Sequence, residues 1–117
     1  MTDWTPAELA AITRADSLGL TVGHEPHPEV ELGMVLVHGE LYVRAYQGPQ
    51  SRWFQAARES GRGRIRVGAV ARDVLLMPAV GPVPAIDAAY QAKYGNSSSA
   101  LIARPQARAA TLRITPA

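Results

Sequence analysis

Cysteine is absent from the 117 residues, and lysine and phenylalanine occur once each, as Lys93 and Phe54. Without cysteine the chain has no disulfide, no thiolate metal ligand and no thiol nucleophile, which fits a reducing cytoplasm. Long hydrophobic runs are missing too. The longest uncharged stretch, Val74 to Ile86, is interrupted by Pro78, Pro82 and Pro84, so it is too short and too proline-rich to span a bilayer. The opening MTDWTPAEL has no basic region ahead of an apolar run, which speaks against a secretory signal. Also lacking are a Walker loop, a Gly-x-Gly-x-x-Gly after a strand and an HExxH pair. The expectation is a soluble cytoplasmic protein with no membrane partner, built as a single domain over residues 1–117.

What the chain does have is an uneven charge distribution. Residues 1–40 hold seven acids and one base, whereas residues 41–117 hold eleven bases and three acids, for a net charge of +2. Eleven of the twelve bases are arginine, whose planar fork suits phosphate or carboxylate. Five arginines crowd into GPQSRWFQAARESGRGRIRVG, from Gly48 to Gly68, around the aromatic pair Trp53-Phe54.

Thr5-Pro6-Ala7-Glu8 reads as a capping box with proline at the first helical position, opening a helix that Gly19 would stop. Leu20 to Val22 reads as a short strand, and His24 to Glu31 as a loop. Leu32–His38 and Leu41–Tyr46 read as strands joined by a tight turn at His38-Gly39-Glu40. In the second of these strands Leu41, Val43 and Ala45 share one face, and Tyr42, Arg44 and Tyr46 the other. The second face reads either as a solvent-facing surface or as a wall for a flat anionic ligand.

Gly48 to Ser51 is a turn able to start a helix from Arg52 to Ser60, which Gly61 ends. A strand Arg64–Val70 follows, with Ile65, Val67 and Ala69 inward and Arg64 and Arg66 outward. Ala71-Arg72-Asp73 reads as a turn into a strand Val74–Ala79. A helix is expected from Pro84 to Tyr94, a polar loop at Asn96–Ser99 and a last strand Thr111–Thr115 with Leu112 and Ile114 inward. About six strands and three helices, neighbouring strands in succession, point to a mainly β (α+β) fold: a small antiparallel barrel with flanking helices.

His24-Glu25-Pro26-His27 lacks the third protein ligand a zinc site needs, and its prolines deny it a helix, so no metal is expected. His38 in the turn reads as surface, and Ser97-Ser98-Ser99 as loop. A nucleic-acid surface would want lysine and an unbroken basic face, which the acidic first third denies. A compact phosphate pocket needs only two or three arginines, and a helix start at Ser51-Arg52 would add free backbone N–H groups. Solvated or ion-paired arginines are the equal alternative.

LYVRAYQGPQSRWFQAARESGRGRIRVGAVARDV, with WTPAELAAI, AIDAAYQAKYG and ARAATLRITP, resembles a bacterial family of small proteins classed as a domain of unknown function. That family looks like a compact relative of the FMN-binding split barrels, which include pyridoxamine-phosphate oxidase-like and deazaflavin-dependent reductase-like proteins. The resemblance implies a split-barrel homodimer with a small-molecule site at the subunit interface. It implies that Arg44, Ser51 and Arg52 touch the phosphate or ribityl chain of FMN or a deazaflavin, and that Tyr46 and Trp53 flank it. Arg64 and Arg66 would follow on the arginine-bearing strand. The basic strand motif that usually precedes these residues is replaced by the acidic HEPHPEVELG.

Three function classes follow. One is a flavin- or deazaflavin-dependent oxidoreductase. Another is a cofactor-free barrel that binds a small apolar metabolite or converts it by acid–base chemistry, with Tyr42, Tyr46, His38, Glu29 and Glu31 as candidate groups. The last is a dimeric nucleic-acid accessory protein.

Overall fold

Thr5 caps the first helix as its sequence predicts. Its backbone N–H donates to Glu8 Oε1 at 2.8 Å and its Oγ1 accepts from the Glu8 N–H at 3.1 Å. The computed structural model describes residues 3–23, 28–79, 81–95 and 103–117; the His24–His27 and Asn96–Ser99 readings lie outside them. The elements are α1 (Pro6–Arg14), β1 (Leu18–Val22), β2 (Val30–Leu32), β3 (Val35–Val37), β4 (Glu40–Arg44), α2 (Arg52–Ser60), β5 (Arg62–Val67), β6 (Val70–Pro78), α3 (Val83–Tyr94), α4 (Pro105–Ala109) and β7 (Thr111–Pro116).

All strand pairs are antiparallel, in one seven-stranded sheet ordered β2-β1-β5-β6-β7-β4-β3. The two edge strands, β2 and β3, are joined by Gly33 and Met34 alone. From Leu32 to Val35 an extended chain reaches at most about 11 Å. The sheet therefore curls until its opposite edges nearly meet, giving a barrel-like fold.

Alternation sorts the strands. Leu18, Leu20, Val22, Leu41, Val43, Ile65, Val67, Val74, Leu76, Leu112 and Ile114 fill the concave side, whereas Ala69, expected inward beside Ile65 and Val67, is exposed in the turn after β5. Phe54 and Ala57 of α2 and Ile12 of α1 complete that core. A second apolar cluster forms on the convex side, where Ile86 and Tyr90 of α3 cover Val35, Val37 and Tyr42.

Several expectations are corrected. The first helix ends at Arg14, with Ala15 already extended, and Gly19 belongs to β1. There it leaves room for Glu29: a Cβ on Gly19 would sit 2.1 Å from Glu29 Oε1. The single strand Leu32–His38 is two short strands meeting at the corner Gly33-Met34, and Val30 and Glu31 join β2 instead of a loop. The turn after β5 lies at Gly68-Ala69, where Gly68 takes φ 57°. Ala71-Arg72-Asp73 is inside β6, held there because Asp73 pairs in register with Arg64. The helix α4 was not anticipated. The β3–β4 turn is as expected: His38 (φ 53°) and Gly39 (φ 78°) form a two-residue loop with both φ positive, matching strand twist. No helix among the described residues is long and apolar enough to cross a membrane.

Candidate functional site

β4 carries Tyr42 and Arg44 out of the barrel core, but not into solvent. Both are buried, with 3% of each residue exposed, because α3 lies across that face. Burying a guanidinium costs several kcal/mol unless its charge and donors are met. Here Nε donates to Thr111 Oγ1 at 3.2 Å, and Nη1 donates to Asp87 Oδ1 of α3. The Tyr90 ring centroid lies 6.0 Å from the guanidinium carbon. Arg108 of α4 donates to the other Asp87 oxygen. Burial works to raise the Asp87 pKa, but the hydrogen bonds from Arg44 and Arg108 outweigh it and hold the carboxyl below its ordinary value. Burial pushes the Tyr90 phenol well above its ordinary range, so it stays neutral beside the guanidinium.

Beyond Arg44 the chain leaves the sheet, and its backbone turns at Gly48 and Ser51 (Gly48 N–H to Ala45 O, 2.8 Å; Ser51 N–H to Gly48 O, 3.1 Å) into α2. A cleft of about 710 Å³ opens at this corner. Its walls are Arg44, Ala45, Tyr46 and Gln47 on one side, Gln50, Ser51, Arg52 and Trp53 at the start of α2, and Val30, Glu31 and Leu32 of β2. The Ser51 side chain makes no capping hydrogen bond. Its hydroxyl and the first N–H groups of α2 are thus not tied to each other. Trp53 is half-buried with its ring edge-on to Phe54, centroids 6.1 Å apart, and Tyr46 is 55% exposed.

Five of the seven residues expected to hold a cofactor (Arg44, Tyr46, Ser51, Arg52 and Trp53) therefore converge on one cleft, together with the candidate acid Glu31. Arg64 and Arg66 do not line it. They stand on the outward face of β5 and pair with Asp73 and Glu29, each at 2.7 Å. Glu29 is thereby engaged, and Tyr42 donates to Glu40 at 2.9 Å beneath α3. His38 is exposed in the β3–β4 turn. Sequence reasoning missed Gln47 and Gln50, although they flank the turn residues Gly48-Pro49. It also missed Asp87 and Arg108, for which no local signal exists.

Fold and cleft together define a small α+β protein in which a curled antiparallel sheet is flanked by helices. The chain belongs to a family described as an uncharacterized protein conserved in bacteria (DUF2255), which matches residues 8–114. Among solved structures it is similar to a conserved hypothetical protein, Rv2991, from Mycobacterium tuberculosis. The two are 13% identical, with a TM-score of 0.60, over 97% of this chain and 80% of that one; at this identity the likeness concerns the fold. No curated protein matches the chain.

Proposed function

We propose that the cleft between β2, the end of β4 and the start of α2 is the cofactor site of a cytoplasmic flavin- or deazaflavin-dependent oxidoreductase acting on a small metabolite. The observation that supports this reading is the convergence there of Tyr46, Ser51, Arg52 and Trp53, with Arg44 in the wall behind them. The donor set suits such a ligand. Arg52 and the Ser51 hydroxyl, beside the open end of α2, can meet a phosphate, and Trp53 and Tyr46 offer ring faces. About 710 Å³ lies within the usual range for ligand pockets. When bound, the flavin supplies the hydride chemistry, and the protein positions it. Arg44 acts in this reading from behind the wall, keeping α3 against β4 through Asp87.

The same reading includes a homodimer with the ligand held at its interface. Leu75 and Met77 stand on one outward face of β6 and are 40% and 52% exposed, large side chains of the kind an interface covers. Light scattering at micromolar concentration should give twice the chain mass; a clean monomer overturns this part.

FMN and a deazaflavin should each be titrated into wild type, Arg52→Ala and Arg58→Ala. Arg52→Ala should weaken binding about tenfold to hundredfold, or about 1.5–3 kcal/mol, the scale of a hydrogen bond to a charged group. Arg58 does not line the cleft and lies 5.9 Å from the Phe54 ring centroid, so its substitution should leave binding unchanged. Equal losses at both positions would sink the specific role of Arg52.

If wild type binds neither cofactor, a second reading takes over: acid–base chemistry on, or binding of, a small apolar metabolite. Glu31 favours it, since this acid lines the cleft and is in no ion pair among the described residues. Tyr46 lines the same cleft. A nucleic-acid role lacks a comparable support, because Arg64, Arg66, Arg72 and Arg108 all meet carboxylates.

A further inference from the structure

The single lysine of this arginine-rich chain stands away from the cleft just described. Lys93 lies in the last turn of α3, and its Nζ donates to the Met34 carbonyl oxygen at 3.0 Å. The ammonium also lies 5.4 Å from the Tyr94 ring centroid. No carboxylate among the described residues is within ion-pair distance of it. Asp16, on the segment between α1 and β1, acts on it through space alone. An ammonium has three donors; the Met34 carbonyl and the weak acceptor Met34 Sδ, at 3.7 Å, take two of them and leave one for an anion.

Beside it runs a trench of about 340 Å³ between α1, β3 and α3. Ile12, Val35, Leu36, Ala89 and Ala92 make its walls apolar. Thr13 also lines it, but its hydroxyl proton is spent on the Leu9 carbonyl at 2.8 Å. The trench therefore has apolar sides and one cationic head. Burial holds the Lys93 pKa below the ordinary lysine value, with Asp16 offsetting only part of that. This is the state of a cation whose lost hydration has not been replaced by a counter-ion.

We propose that the trench binds a small amphipathic monocarboxylate, its apolar body along α1, β3 and α3 and its carboxylate paired with Lys93. The chemistry is complementary on both counts: the walls exclude water from an aliphatic or aryl body, and the anion supplies the charge the ammonium lacks. Ligand pockets of this type combine an apolar lining with very few polar anchors. A purely structural lysine, set at the end of α3 to complement the helix dipole, would have no preference among ligands.

The test uses the full chain and hexanoate, with hexanol and acetate as controls. Methyl signals of Ala89, Ala92 and Val35 are followed by NMR, and Lys93 modification by trinitrobenzenesulfonate is read on its own peptide by mass spectrometry. Because Lys93 is the only lysine, protection there reports this site alone. Hexanoate should shift the methyls saturably and slow the modification, while hexanol and acetate at equal concentration do neither. Lys93→Met, which keeps an apolar stem, should weaken hexanoate binding about tenfold, the scale of one charge-assisted contact. Lys93→Arg keeps the charge and should keep most of the binding, which separates lost charge from lost folding. Equal binding of hexanol removes the role of the ammonium, and equal protection by acetate removes that of the walls. Undisturbed methyls with hexanoate overturn the site altogether.

Discussion

Asp87→Ala is expected to lower the unfolding free energy by about 3–5 kcal/mol, the cost of removing one partner from a buried ion pair. The substitution removes from the Arg44 guanidinium, whose side chain is 0% exposed, the one carboxylate that pairs with it among the described residues. It also releases Arg108 of α4, so α3 and α4 lose a shared anchor. Asp73→Ala is the comparison: it breaks the pair with Arg64, whose side chains are 57% and 73% exposed, and should barely move the midpoint. Urea unfolding of the two variants measures both. Equal small losses would mean that α3 is held by its apolar contacts alone.

The same carboxyl sets an acid limit. The folded-state pKa of Asp87 is lowered, as is that of Glu8, which accepts hydrogen bonds from the Thr5 backbone and from Arg72. A carboxyl depressed by folding contributes stability above its unfolded pKa, near 4, and loses it as pH falls through the lower folded value. Thermal midpoints should therefore hold from pH 7 to about 5 and drop below about 4. Asp87→Asn should make that drop shallower.

Phe54→Ala is expected to cost about 3–5 kcal/mol, the range for emptying a buried phenylalanine site. Phe54 is 2% exposed and, with Ala57, joins α2 to the concave core of the sheet. The loss should reach the cleft as well, since Ser51, Arg52 and Trp53 stand at the start of the same helix. Trp53 fluorescence reports this directly, because its ring rests edge-on against Phe54. A stable variant with unchanged emission would show that α2 is seated by other contacts.

Much of the molecule was legible because its causes are local. The capping box at Thr5, the turn at His38-Gly39, the helix Arg52–Ser60 and the inward alternation of Leu41, Val43, Ile65 and Leu112 each depend on residues a few positions apart. The cleft was legible in part for the same reason: Arg44, Tyr46, Ser51, Arg52 and Trp53 lie within ten positions of one another. Where cues competed, reading failed. Gly19 looked like a helix stop but makes room for Glu29, and Ala71-Arg72-Asp73 looked like a turn although Gly68, at φ 57°, is the residue that turns.

The sequence by itself determined which side chains share a face of each strand, because period-two alternation is a property of the backbone. It could not decide what lies over that face. Whether Tyr42 and Arg44 meet solvent, a ligand or a helix depends on α3, which supplies Asp87 from 43 positions away. The split of one apparent strand into β2 and β3 likewise belongs to the curl of the sheet, which brings its two edges to the Gly33-Met34 corner. Burial and charge pairing at such sites are set by the packing of distant segments, and that packing decided that Arg44 stands behind the cleft wall while Arg52 stands at its mouth.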